Sequence, residues 1–181
     1  TYYIECMVQT QDEPSAHPPV FGLNPLPGRI DLLVSSELLE TARQVQLGMP
    51  SADCTQVLTS TARALTVAER VRPADGRMND SALLELVRIH AKAVHAVDFS
   101  ALAREAHTVV SAVMLGAIAA SGVLPLGRPH YEAAIRGDGD APSSPAVLAN
   151  LKGFALGWEA LSSPEPGSHA NANPMPQPHG A

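Results

Sequence analysis

The stretch Ile30-Asp-Leu-Leu-Val34-Ser-Ser-Glu37-Leu-Leu-Glu-Thr-Ala-Arg43-Gln-Val-Gln-Leu47 decides the fold class. Residues 30–34 form a short apolar run, the pattern of a strand buried on both faces. Ser35-Ser36 is a natural N-cap, and a helix over residues 37–47 follows. Its first turn is acidic, its apolar residues fall at 38, 39, 42 and 45, and Gly48 stands just past its end. A strand, cap and helix in succession is the building unit of an α/β sheet.

Outward from this unit the pattern repeats. Residues 56–60 read as a strand, 64–68 as a second one and 73–76 as a turn. Asp80 or Ser81 caps a helix over 82–94, whose positions 83, 86, 87, 90 and 94 follow the 3.6 period. A short strand at 95–99 precedes a helix that Ser100 caps and that runs to Ala106. A helix of small residues spans 109–121, a Gly-Pro loop 122–129, and Pro129 starts a short helix to about 136. Ser144-Pro145 opens a last helix, with Val147, Leu148, Leu151, Phe154, Ala155 and Trp158 on its apolar face. Upstream, the aromatic and β-branched run at residues 2–8 reads as a strand with Cys6 buried in it, and the prolines of 11–29 make a loop. The expected fold is therefore α/β, a layered domain that ends in helices and spans residues 1–161. The Pro-rich residues 162–181 form a tail too poor in apolar surface to fold alone. The chain begins at Thr1 without a methionine and runs at once into strand-like sequence, as if its true N-terminus were missing.

Composition narrows the function. Twelve Lys and Arg against 18 Asp and Glu leave a net charge of -6, and no basic cluster exceeds Arg70-Val-Arg72. Phosphate binding along nucleic acid or an anionic membrane needs clustered positive charge, so neither is expected as a partner. Residues 109–126 carry no charge, but Ala, Gly and Ser dominate them and no aromatic belt flanks them, which indicates a buried helix rather than a membrane span. Two cysteines, Cys6 and Cys54, make neither a metal motif nor a disulfide framework and suit a cytoplasmic protein. The seven histidines show no convergent spacing, so no metal site is expected. Arg136-Gly-Asp138 spells an adhesion tripeptide, but it reads as a helix end and turn.

Nucleotide-binding glycine loops and the Gly-x-Ser-x-Gly elbow are absent from these residues. Ser60 and Ser111 have no recognisable His and Asp arrangement. Glu37, Glu40 and Arg43 sit at i, i+3 and i+6; two neighbouring carboxylates suit acid–base work, and the commoner use is helix-dipole stabilisation with a Glu40–Arg43 pair. Because α/β sheets bind ligands outside the carboxyl ends of their strands, the Val34–Glu37 and Thr59–Arg63 corners are the favoured site positions.

Residues 111–125, Ser-Ala-Val-Met-Leu-Gly-Ala-Ile-Ala-Ala-Ser-Gly-Val-Leu-Pro, resemble the signature stretch of the gamma-type subunit of 2-oxoacid:ferredoxin oxidoreductases. Residues 28–43 and 55–63, Asp75-Gly76 with Asp80, Tyr131 to Ile135 and Gly153-Phe-Ala-Leu-Gly157 extend the likeness, which is closest to the beta subunits of indolepyruvate ferredoxin oxidoreductases. The chain departs from that pattern in lacking the first strand with its Gly-rich turn, in Ser111 where Asn is usual, and in Ala62 where His is frequent. The resemblance implies a complex that oxidatively decarboxylates an aryl 2-oxoacid with coenzyme A to an acyl-CoA, passing electrons to ferredoxin. It implies a three-layer Rossmann-like α/β domain over residues 1–161 whose first βα portion is missing here, and that thiamine diphosphate and iron–sulfur clusters are held by a larger partner subunit. It also makes Glu37, Arg43, Ser60, Arg63 and Ser111 the candidate cofactor-binding residues, the arginines toward coenzyme A. Two other classes stay open: a non-catalytic α/β scaffold or ligand-binding subunit, and a nicotinamide oxidoreductase. A homo-oligomer through the 2–8 strand edge is a further possibility.

Overall fold

The computed structural model describes residues 2–7, 19–62, 79–137 and 144–163. Three strands, β1 (Leu32–Ser35), β2 (Gln56–Ser60) and β3 (Ala93–Val97), form a parallel sheet in the order β1-β2-β3. Leu33 pairs with Val57 and Val57 with Val94, while Val34 pairs with Leu58 and Leu58 with His95. Side chains alternate across a sheet, so these two rows point to opposite faces. Parallel neighbours need a crossover each. Helix α1 (Leu38–Gln46) supplies the first, and α2 (Asp80–Ile89) lies in the second.

Both crossover helices cover one face. Val45 of α1 and Val87 of α2 pack with Val57, Leu33 and Val94, and Leu38 and Ala42 meet Leu83. The opposite face is covered by α3 (Phe99–Ala106) and α4 (Val110–Ala120), which bring Phe99, Ala103, Val113 and Ala117 onto Leu58, Leu32, Val34 and Val97. Helices α5 (Arg128–Arg136) and α6 (Pro145–Ser162) complete the outer layer on α4. The result is a mixed α/β architecture with a sheet between two helical layers.

The small-residue helix has a reason. A Cβ at Gly116 would overlap the Phe154 carbonyl oxygen, and one at Gly157 would overlap that of Val113. Glycine at both places lets α4 and α6 meet backbone to backbone. The small residues therefore serve a helix–helix contact as well as the sheet. Thr108 also hydrogen-bonds Asn150 across this junction.

Several expectations need correction. Residues 2–7 form no strand and Cys6 is exposed, because this run has no neighbouring strand among the described residues to pair with. The strand at 30–34 is partly exposed rather than buried on both faces, because β1 is the sheet's edge. Helix caps shift by a residue or two. The α1 N-cap is Glu37, and Ser35 instead closes a turn, its Oγ accepting from the Glu37 amide at 3.2 Å. Asn79 caps α2, accepting from the Ser81 amide at 2.9 Å, and Asp98 caps α3, accepting from the Ala101 amide at 2.9 Å. Helix α2 ends at Ile89, so Val94 belongs to β3, which spans 93–97 rather than 95–99. Leu148 is exposed on α6. The β2 limits and the Ser144-Pro145 start of α6 agree with expectation, as Ser144 accepts from the Val147 amide at 3.3 Å. The strand expected at 64–68, the turn at 73–76 and the tail beyond Ser163 lie outside the described residues.

Candidate functional site

The carboxyl ends of the strands place Ser35-Ser36-Glu37, Ser60-Thr61-Ala62 and Asp98 along one edge of the sheet. Backbone bonds tie them together: the Thr61 amide donates to the Val97 carbonyl at 3.0 Å, and the Leu38 amide to the Ala62 carbonyl at 3.4 Å. Helices α1 and α3 both begin here, so two positive dipole ends face this edge. Asp98 occupies the α3 end itself, whereas α1 has no side-chain cap.

Below the edge lies a buried hydroxyl pair. Thr41 Oγ1 and Thr59 Oγ1 are 2.6 Å apart, and both residues are fully buried. Each hydroxyl has one proton to give. Thr41 Oγ1 stands 3.0 Å from the Glu37 carbonyl, against 3.4 Å from Thr59 Oγ1 to its alternative acceptor, the Ser60 carbonyl. The better-satisfied arrangement has Thr59 donating to Thr41 and Thr41 donating to Glu37. Ser35 Oγ also donates to the Glu37 carbonyl, at 2.8 Å, so the backbone turn that presents Glu37 is held from two sides.

The candidates separate in this geometry. Glu37 stands at the edge. Ser60 is also at the edge but fully buried, and its Oγ accepts from the Ala62 amide at 3.1 Å, which makes it a turn-former. Arg43 lies in the last turn of α1, about 9 Å along the helix from the Glu37 cap by the 1.5 Å rise per residue. It is exposed and pairs with Glu40 at 3.3 Å, so the structure does not bring it to the strand ends. Ser111 is exposed on the first turn of α4, an element separated from β3 by the whole of α3. Arg63 lies outside the described residues. None of the described residues 35–37, 60–62 and 97–99 is a cation.

A second cluster went unnoticed in the sequence. The guanidinium of Arg128 lies 5.8 Å from the Phe154 ring centroid and 5.3 Å from that of Trp158, and its Nε donates to Glu132 at 2.7 Å. Arg136 holds the other carboxylate oxygen at 3.3 Å; together these hydrogen bonds depress the Glu132 pKa. Tyr131 packs on Phe154, with ring centroids 6.1 Å apart, and its buried hydroxyl has no hydrogen-bond partner among the described residues. Burial raises that phenol's pKa, with the Cys6 charge adding to it. The signal in the sequence was the Arg128–Glu132–Arg136 spacing of four beside the single tryptophan, but nothing linear joins α5 to α6.

His95, half-buried on β3, has a pKa lowered by desolvation. Among the described residues, no group of three His, Cys, Asp or Glu side chains is placed to hold a metal ion, and no single helix is long and apolar enough to cross a membrane. Comparisons with family models, with curated proteins and with solved structures found no match to this chain.

Proposed function

We propose that this chain is the gamma-type component of a 2-oxoacid:ferredoxin oxidoreductase of the cytoplasm, acting on an aryl 2-oxoacid such as indolepyruvate. The observation that supports the reading is the convergence of the segments that carry the resemblance. Residues 28–43 and 55–63 meet through the Leu38–Ala62 and Thr41–Thr59 bonds, and residues 111–125 interlock with 153–157 at Gly116 and Gly157. Stretches far apart in the chain thus serve two shared contacts, as parts of one inherited unit would.

In such a complex the 2-oxoacid loses carbon dioxide, its acyl group passes to coenzyme A, and two electrons leave for ferredoxin. Thiamine diphosphate, when bound, supplies the stabilised carbanion, and clusters carry the electrons. The two cysteines of these residues fall short of the four thiolates of a usual cluster, so the reading assigns the clusters to the larger subunit, and thiamine diphosphate with them as the resemblance implies. The contribution of this chain is to present the Glu37 edge to that subunit and exclude water there.

Coenzyme A requires cationic partners. Arg43 is engaged with Glu40 away from the edge, which leaves Arg63, next to Ala62, as the cation this reading assigns. Replacing Arg63 with Ala is expected to raise the KM for coenzyme A several-fold, with Arg43→Ala silent. Steady-state kinetics of the purified complex measures both.

The scaffold reading has its own support, since the described strand ends hold no cation and the Ser60 and Thr59 hydroxyls are spent on internal bonds. One experiment separates the two. Native purification of the protein should bring down a stoichiometric larger subunit with iron, thiamine diphosphate and coenzyme A-dependent indolepyruvate oxidation. A chain that purifies without them sinks the enzymatic reading, as does a complex whose turnover ignores Glu37→Gln and Arg63→Ala.

A further inference from the structure

Among the described residues, eight of the thirteen exposed large apolar side chains lie between residues 2 and 26. Tyr2, Ile4, Val20 and Leu23 are 98%, 80%, 94% and 97% exposed. The two segments that carry them are held side by side: the Glu5 carboxylate, which accepts from the Tyr3 hydroxyl at 3.1 Å, also accepts from the Gly22 amide at 3.0 Å and so ties residues 2–7 to 19–26. At about 200 Å² for a fully exposed large side chain, the eight residues offer roughly 1,000 Å². The largest apolar patch on a monomer is ordinarily ~300–600 Å², and each side of a stable protein interface buries ~800 Å².

The same chain carries a matching acceptor. Among the described residues, 2–7 have strand-forming side chains and no sheet partner, and the three-stranded sheet ends on β1 and β3. Charge points the same way. Two copies at -6 each repel, yet within 2–7 and 19–28 the one charged residue is Glu5, and its carboxylate is engaged inside the patch. Like-charged chains approach most cheaply where charge is sparsest.

We propose that residues 2–7 and 20–26 form the face by which two copies of this chain associate, residues 2–7 adding as a strand to an open sheet edge of the other copy. This inference does not rest on the functional reading. Sedimentation equilibrium of the whole chain at micromolar concentrations is expected to give twice 19.0 kDa. The double variant Ile4→Lys, Leu23→Lys should return the mass to 19.0 kDa. Its far-UV circular dichroism should be unchanged, since both side chains already face solvent. Ile4→Pro removes one backbone donor and is expected to weaken association at least tenfold if a strand is added. A wild-type chain that stays monomeric overturns the proposal, as does a dimer indifferent to the lysines or a monomer that seats a different subunit on this face. A dimer as tight with Pro at position 4 overturns the strand addition.

Discussion

The Gly116 and Gly157 positions show how one atom sets the spacing of two helices. An added Cβ meets a backbone carbonyl, which cannot rotate away, so α4 and α6 must separate. Gly157→Ala is expected to cost about 3 kcal/mol, at the upper end for an overpacked core, and urea unfolding monitored by the single tryptophan measures it. The Thr41–Thr59 pair makes a different prediction. Thr59→Val removes a donor whose partner keeps the Glu37 carbonyl as acceptor, so its cost should be about 1 kcal/mol. The double variant with Thr41→Val should cost less than the two single changes added together, because both act on one bond. His95 adds a pH dependence. Its pKa is lowered in the folded state, so the unfolded chain binds the proton first as pH falls, and stability declines below about 6.5 until the folded-state pKa is passed. His95→Gln should flatten that limb of a stability–pH profile.

At the level of elements, the caps show what local sequence does and does not determine. Ser144-Pro145 marked α6 correctly because both residues suit their positions without tertiary help. At α3 two neighbouring residues competed, and Asp98 rather than Ser100 took the cap, since β3 ends at Val97 and the chain turns at once. Asp98→Ala is expected to lower stability by about 1 kcal/mol and Ser100→Ala by a few tenths; paired thermal melts compare them. The β2 limits were legible because a fully buried strand between two turns leaves little choice. The strand expected at residues 2–8 is not formed over the described 2–7 for the opposite reason: β-propensity describes fit to a sheet, and no described strand lies beside this run.

Across the whole molecule, the site was half legible. The corners at Glu37 and at residues 60–62 follow from where strands end, and they do stand together. Arg43 was misplaced because helix periodicity says which face a residue occupies, whereas its distance from the strand end depends on where the helix starts. The Arg128 stack on Phe154 and Trp158 was invisible, since α5 and α6 come together only when both pack on α4. The exposed N-terminal patch likewise emerges only when every other apolar run has found its place.

By itself the sequence determined the alternation of strands and helices, the parallel α/β class that alternation requires, and the small residues that permit close helix contact. These rest on local periodicity and on steric limits carried by single residues. Tertiary structure alone decided which helix meets Gly116, which hydroxyl closes on Thr41, and which apolar run is left without a partner. Those outcomes depend on pairwise distances between distant segments, and distance in space is not a function of separation along the chain.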